Sequence, residues 1–272
     1  MTAARGPRAH EVAIAAAAIV LLSATPVRAQ HEHHHGGHPA AGGEPAPEAP
    51  GPFEVSLAMI GARFDQPLYV GDYAGLGLGV GWRHGRIGVH AALPAYHLRK
   101  NGAAVDGVGD AMIGVDVTAY QRGRLSAGAA LAITLPTGAS MTGLGMGHPM
   151  LMPGLWLTRD GARASVGVSA GWCGSLGTDP AHHEHGAWPL VEPMTASELM
   201  ADVHGDARVH GRLRASARVA IAIPLQGAAN RAVGALGAIW RGRRTDTGAE
   251  LQAGLAGDPF TVRALLTTAL RF

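Results

Sequence analysis

Fifteen histidines occur in this 272-residue chain, and many of them are clustered. His31, His33, His34, His35 and His38 crowd around Glu32. Neutral imidazole ligates zinc, copper or nickel, and a short His-rich tract is a compositional signal for such binding. The tract lies in Gly- and Pro-rich sequence that cannot preorganise a coordination geometry, so weak and unselective capture is expected, and a merely soluble leader explains it equally well. A second group joins His182, His183 and His185 to Glu184, with Asp179 as an additional oxygen donor. Met141, Met146, Met150 and Met152 with His148 offer soft donors suited to reduced copper. Methionine packing around a loop is the simpler account of that group. No cofactor is required; weakly held Zn, Cu or Ni is the expectation.

A further set of chemically active side chains recurs at regular spacing: His90, Asp110, Asp116, Asp202, His204, Arg208, Arg212, Arg214, Arg218, Glu250 and Arg263. What positions them is an alternation of period two, the repeat of a β-strand, in which every other side chain shares a face. In the run from Gly107 to Tyr120, Ala111, Ile113, Val115 and Val117 share one face, and Asp110, Gly114, Asp116 and Thr118 the other. Val89, Val115, Val203, Val219, Leu251 and Val262 flank the polar positions elsewhere. About twelve such stretches are predicted, at 53–63, 74–83, 86–96, 107–121, 124–135, 149–159, 162–173, 198–210, 212–223, 228–241, 246–256 and 259–272. The continuous face is the apolar one. A soluble barrel hides that face and a membrane barrel turns it outward, where a charge facing mid-bilayer costs about 2–4 kcal/mol. The reading is all-β: a closed antiparallel transmembrane β-barrel of outer-membrane type, with the polar set inside and the phase constant through most strands.

Composition agrees. Glycine is 40 of 272 residues and charged residues are 15%, well below the ~25% usual in soluble domains. Residues 1–29 carry Arg5 and Arg8, an apolar stretch from Val12 to Leu22, and a small-residue site at Val27-Arg28-Ala29, the pattern of a cleaved signal peptide. Its removal takes the formal charge from +2 to about neutral, which excludes a charge-based case for nucleic-acid binding. Residues 30–52 read as a His/Pro/Gly-rich periplasmic tether, and 53–272 as the barrel. The single Cys173 can form no internal disulfide.

Glycine turns at His84-Gly85, Arg122-Gly123, Asp160-Gly161, Gly211 and Gly242 to Thr245 mark one rim. Longer connections, 64–73, 97–106, 136–148 and 174–197, mark the other, although 224–227 and 257–258 are short. Short turns on one side and long loops on the other suit an outer-membrane barrel, and an even strand count puts both termini in the periplasm. The sixth predicted strand is ambiguous: Met150, Met152 and Trp156 alternate with Leu151, Pro153 and Leu155, and Pro153 should interrupt the ladder. Trp82, Trp172 and Trp240 fall near strand ends, where aromatic girdles belong.

Three segments carry a resemblance: Gly109-Asp110-Ala111-Met112-Ile113-Gly114, Leu135-Pro136-Thr137-Gly138, and Gly147-His148 through Pro153-Gly154. Over residues 53–272 the chain resembles the transporter-like barrels of the phenol-degradation MetA-pathway family. That resemblance implies an outer-membrane pore for hydrophobic compounds with no agreed catalytic residues. The ending Leu270-Arg271-Phe272 resembles the signal read by barrel-assembly machinery, which makes that machinery and outer-membrane lipid the expected partners.

The functional expectation is a bacterial outer-membrane channel for small solutes, with metal ions as the more specific cargo. Arg208, Arg212, Arg214 and Arg218 are expected to oppose Asp110 and Asp116 across the interior, either as a transverse field or as pairs that plug it. Inward Gly75, Gly77, Gly79, Gly81, Gly88, Gly114, Gly128 and Gly167 are expected to free volume. Catalysis is not expected: nothing in the sequence sets Ser216 against His204 and Asp202 as nucleophile and base. The alternatives are a transporter of hydrophobic or aromatic compounds and a plugged structural or sensory barrel.

Overall fold

A computed structural model describes residues 51–66, 69–177 and 194–272. The expected signal segment, most of the expected tether with His31, His33, His34, His35 and His38, and the His182, His183 and His185 group lie outside the described residues. The strands are β1 (Phe53–Gln66), β2 (Tyr69–His84), β3 (Ile87–Lys100), β4 (Ala103–Val108), β5 (Ala111–Arg122), β6 (Leu125–Leu135), β7 (Met150–Asp160), β8 (Ala164–Ser175), β9 (Ser197–His210), β10 (Leu213–Pro224), β11 (Arg231–Arg241), β12 (Thr245–Ala256) and β13 (Phe260–Arg271). Every neighbour pairs antiparallel, and β1 pairs with β13 from Glu54↔Arg271 to Phe64↔Phe260, which closes the sheet into a barrel.

The barrel has twelve staves because β4 and β5 form one of them. β5 pairs with Ile87–Ala92 of β3, and β4 with Ala95–Lys100. The expected continuous strand 107–121 is therefore broken at Gly109-Asp110. Thr137 mends the break: its Oγ1 accepts from Ala111 N at 2.8 Å and donates to Gly109 O at 2.7 Å. Closure pairs each full-length stave on both sides, satisfying backbone groups that hydrocarbon could not solvate, while the short β4 pairs with β3 alone.

The turns at the rim holding Phe53 and Phe272 fall where the glycines place them, with positive φ at Gly85, Gly123 and Gly211. At the opposite rim two expected loops are corrected. Residues 64–73 continue β1 and β2 as far as Gln66↔Tyr69, and 97–106 continue β3 into β4 around Asn101-Gly102, both at positive φ. Their polarity belongs to an outer surface beyond the apolar band, not to a loop. Arg99 meets Asp72 at 2.7 Å there, and His97 meets Asp106 at 2.8 Å, all four exposed.

Strand phase is also corrected. Even-numbered residues point inward on β1, β3, β5, β6, β7, β9, β10 and β12, and odd-numbered ones on β2, β4, β8, β11 and β13. A two-residue turn reverses the parity, and the bulges at Thr118/Tyr120 and Leu213/Arg214 restore it between β5 and β6 and between β9 and β10. The outer face carries an apolar band: Leu76, Leu78 and Val80 on β2, Leu155 and Leu157 on β7, Val262 and Leu266 on β13. Leu236 and Leu251 stand opposite each other on β11 and β12, exposed by 70% and 58%. Met150, Met152 and Trp156 point inward, and Pro153 faces out. The β7–β8 ladder runs Leu151↔Gly174 and resumes at Gly154↔Gly171, a gap at the proline with no register shift.

Candidate functional site in the barrel interior

Towards the rim that holds the termini, the interior is lined by ion pairs between adjacent staves or across a single intervening one. Arg83 Nη2 donates to both oxygens of Asp116 at 2.9 Å. Arg218 reaches Glu250 at 3.0 Å across β11, and Gln252 donates to the same oxygen at 2.5 Å. Asp206 accepts from Arg214 and from Ser165, with Arg241 at 3.7 Å. Arg271 bridges Asp246 at 2.7 Å and Glu54 at 3.2 Å. The expected opposition of arginine and aspartate walls is corrected: Asp116, Arg214 and Arg218 are neutralised along the wall, so no transverse field spans them. Arg208 is exposed near the rim, and Arg212 lies over the outward Trp240 ring, 6.0 Å from its centroid.

His90 and His204 lie flat on glycines of the adjacent strand. A Cβ on Gly114 would stand 2.3 Å from His90 Nε2, and one on Gly167 would stand 2.4 Å from His204 Nε2. His204 Nδ1 is 2.5 Å from Asp202 Oδ1, and that aspartate is fully buried. Several glycines expected to open the interior are thus covered by the side chain next door, Trp156 over Gly128 and Tyr96 over Gly75 among them.

Towards the opposite rim the interior changes character. The 136–148 loop folds inward and is held on Asp110, which joins the first two motif segments. Gly138 N donates to Asp110 Oδ1 at 2.9 Å, and Met146 N to Asp110 Oδ2 at 2.7 Å. Leu144, between those two amides, is buried among Phe64, Tyr73, Tyr96, Leu98 and Phe260. Tyr73 meets Tyr96 and Phe260 edge-on, each with centroids 5.6 Å apart. Arg263 caps the cluster, 4.5 Å over the Phe260 ring. On the facing staves Met112, Met150, Met152, Met194, Met200 and Cys173 pack as a second buried cluster beside Met146. Between that cluster and β11 lies the buried pair of Glu198 and Arg231, at 2.5 Å.

No protein-family model matches the chain, and no curated protein sequence does. Solved structures do. An outer-membrane channel from Pseudomonas putida F1 superposes with a TM-score of 0.64 at 12% identity, over 83% of this chain and 97% of that one. The NanC porin superposes with a TM-score of 0.53 at 8% identity, over 80% of this chain and 99% of its own. The KdgM porin, solved in complex with disordered oligogalacturonate, has the same TM-score, identity and coverage. The fold is that of an outer-membrane β-barrel.

An outer-membrane barrel with this interior has its chemistry in layers: a paired, polar wall at one end and an aromatic and sulfur collar at the other. No nucleophile meets a base among the residues considered for it. Ser216 Oγ lies towards Gly237 on β11, whereas His204 lies over Gly167 on β8, on the other flank. Among the described residues no three His, Cys, Asp or Glu side chains converge as a metal-binding group. Met141, one of the soft donors noted in the sequence, is 89% exposed and stands apart from the sulfur cluster. The partners Arg83, Asp206, Glu198 and Arg231 are not apparent from spacing, because pairing across a stave depends on register. Inward parity alone would have found Tyr73, Tyr96 and Met200.

Proposed function

We propose that this chain is a channel of the bacterial outer membrane, both termini periplasmic, that passes small solutes through the barrel interior. The observation that carries the reading is the closed apolar outer band around an interior lined with ion pairs. Local neutralisation of Asp116, Arg214 and Arg218 supports weak charge selection, since a paired charge attracts a passing ion less than a bare one. Metal ions remain the more specific cargo in this reading: His182, His183 and His185 concentrate cations at the surface, His90 and the Asp202–His204 pair offer weak interior stations, and the tether histidines receive the ion.

The aromatic collar favours a second reading, transport of hydrophobic compounds. Phe64, Tyr73, Tyr96 and Phe260 offer apolar surface where a small aromatic solute would stack. Planar-bilayer recording on the purified protein, with ion and small-aromatic gradients, tests both. Ion conductance with a reversal potential that moves towards anions in Asp116→Asn supports the channel. Silence towards ions together with uptake of aromatics selects the second reading, and silence towards both leaves a plugged barrel.

A further inference from the structure

The sulfur cluster is built from staves far apart in sequence. Met112 comes from β5, Met150 and Met152 from β7, Cys173 from β8, Met200 from β9, and Met194 from the segment just before β9. The register places Met152 opposite Cys173 at the proline gap and Cys173 opposite Glu198, so the three form one row across the wall. Cys173 Sγ and Met194 Sδ are 3.9 Å apart. Two sulfurs each about 2.3 Å from a shared ion are that far apart when the angle at the ion is about 115°, between trigonal and tetrahedral. Leucine would fill the same volume; what methionine adds is a polarisable lone pair.

A second feature points the same way. Glu198 is fully buried, and its Oε2 takes Arg231 at 2.5 Å and the hydroxyl and amide of Thr195 at 2.9 and 3.1 Å. Its Oε1 is buried with no hydrogen-bond partner among the described residues. An acceptor left bare beside a thiol and thioethers costs free energy that a cation would recover.

We propose that this cluster is a binding site for a soft monovalent cation, Cu⁺, held by Cys173 Sγ and Met194 Sδ with further thioether from Met152 and Met200, and with Glu198 as the nearby counter-charge. Thiolate and thioether select Cu⁺ over harder ions. A singly charged ion also loses less hydration on burial than a divalent one. Binding involves no electron transfer: the Cys173 S–H bond breaks, a Cu–S bond forms, and the proton leaves to solvent. The site deepens the channel reading by naming a cargo class, and rests on that reading only for its role in transport.

The test is Cu⁺ titration of the purified full chain in detergent under anaerobic, reducing conditions, against a chromophoric Cu⁺ chelator, with X-ray absorption at the copper edge. The expected result is a sulfur shell that is lost in Cys173→Ser. In the volume-conserving double variant Met152→Leu and Met200→Leu, affinity for the sulfur-ligated ion should fall roughly tenfold or more. Met141→Leu, at an exposed position, serves as the control and should leave binding unchanged. A shell of nitrogen alone, from the histidine tracts, overturns the proposal. So does a sulfur shell that persists at full affinity in both variants. Heat-dependent gel migration reports that each variant is folded. A silent bilayer with intact sulfur ligation removes the channel and leaves the site; conductance without sulfur ligation does the reverse.

Discussion

The guanidinium of Arg83 meets the carboxylate of Asp116 across a strand, directly over Gly88. Arg83 pairs with Gly88 on β3, and Gly88 with Asp116 on β5, so the ion pair rests on a backbone that bears no side chain. A Cβ there would stand 2.4 Å from Asp116 Oδ1 and 2.6 Å from Arg83 Nη2. Gly88→Ala should therefore part the two groups and leave the buried Asp116 short of a partner, at a cost of about 1–3 kcal/mol. Urea unfolding in micelles measures the loss. The same variant keeps both charges, so it should move the reversal potential less than Asp116→Asn does.

Asp110 anchors the inward loop through two amides. Asp110→Ala removes both acceptors, each worth about 1.5–3 kcal/mol when the acceptor is charged. Hydrogen exchange at Gly138 and Met146 should accelerate by about 30-fold for each ~2 kcal/mol lost, and the 136–148 loop should become open to protease. Asp110→Asn keeps one acceptor and should fall between. Unchanged exchange at both amides would show that Leu144, not Asp110, holds the loop.

Asp258, in the turn between β12 and β13, should give stability a pH dependence. Burial pushes its carboxyl above the ordinary value of 3.8, against the opposing pull of Arg263 and of the Phe260 amide. The folded state then holds this proton more tightly than the unfolded state does. The contribution is fully present below 3.8 and is lost as pH rises through the raised value. Asp258→Asn keeps an acceptor for Phe260 N and removes the titration. Wild type should lose stability relative to the variant between acid and neutral pH, read from urea midpoints at the two conditions. A constant difference would contradict the burial argument.

Leu236 and Leu251 face each other on the outer surface, so Leu236→Arg tests which side meets lipid. In a bilayer it should cost about 2–4 kcal/mol, and most of that should vanish for an arginine near either rim. Refolding into phosphatidylcholine vesicles from urea measures it. Equal costs at both depths would argue that the band does not lie in hydrocarbon.

Much of this molecule is local in origin and therefore readable from the chain alone. Period-two alternation assigns faces within a strand, and glycines at Gly85, Gly123 and Gly211 mark where the chain reverses. Those two facts are enough for a barrel of twelve staves with its apolar side out. The Asn101-Gly102 turn was readable too, as a positive-φ pair, but the charges of 97–106 disguised strand as loop because the outer face there lies beyond the apolar band. Tertiary structure decided everything that depends on register between strands: that Arg83 finds Asp116 over Gly88, that His204 covers Gly167, that Asp110 reaches Gly138 and Met146. It also decided that Cys173 meets Met194 and Met200 in one cluster. Closing a sheet offsets each strand against the next by a stagger that no single strand encodes, and inward side chains meet only after that stagger is set.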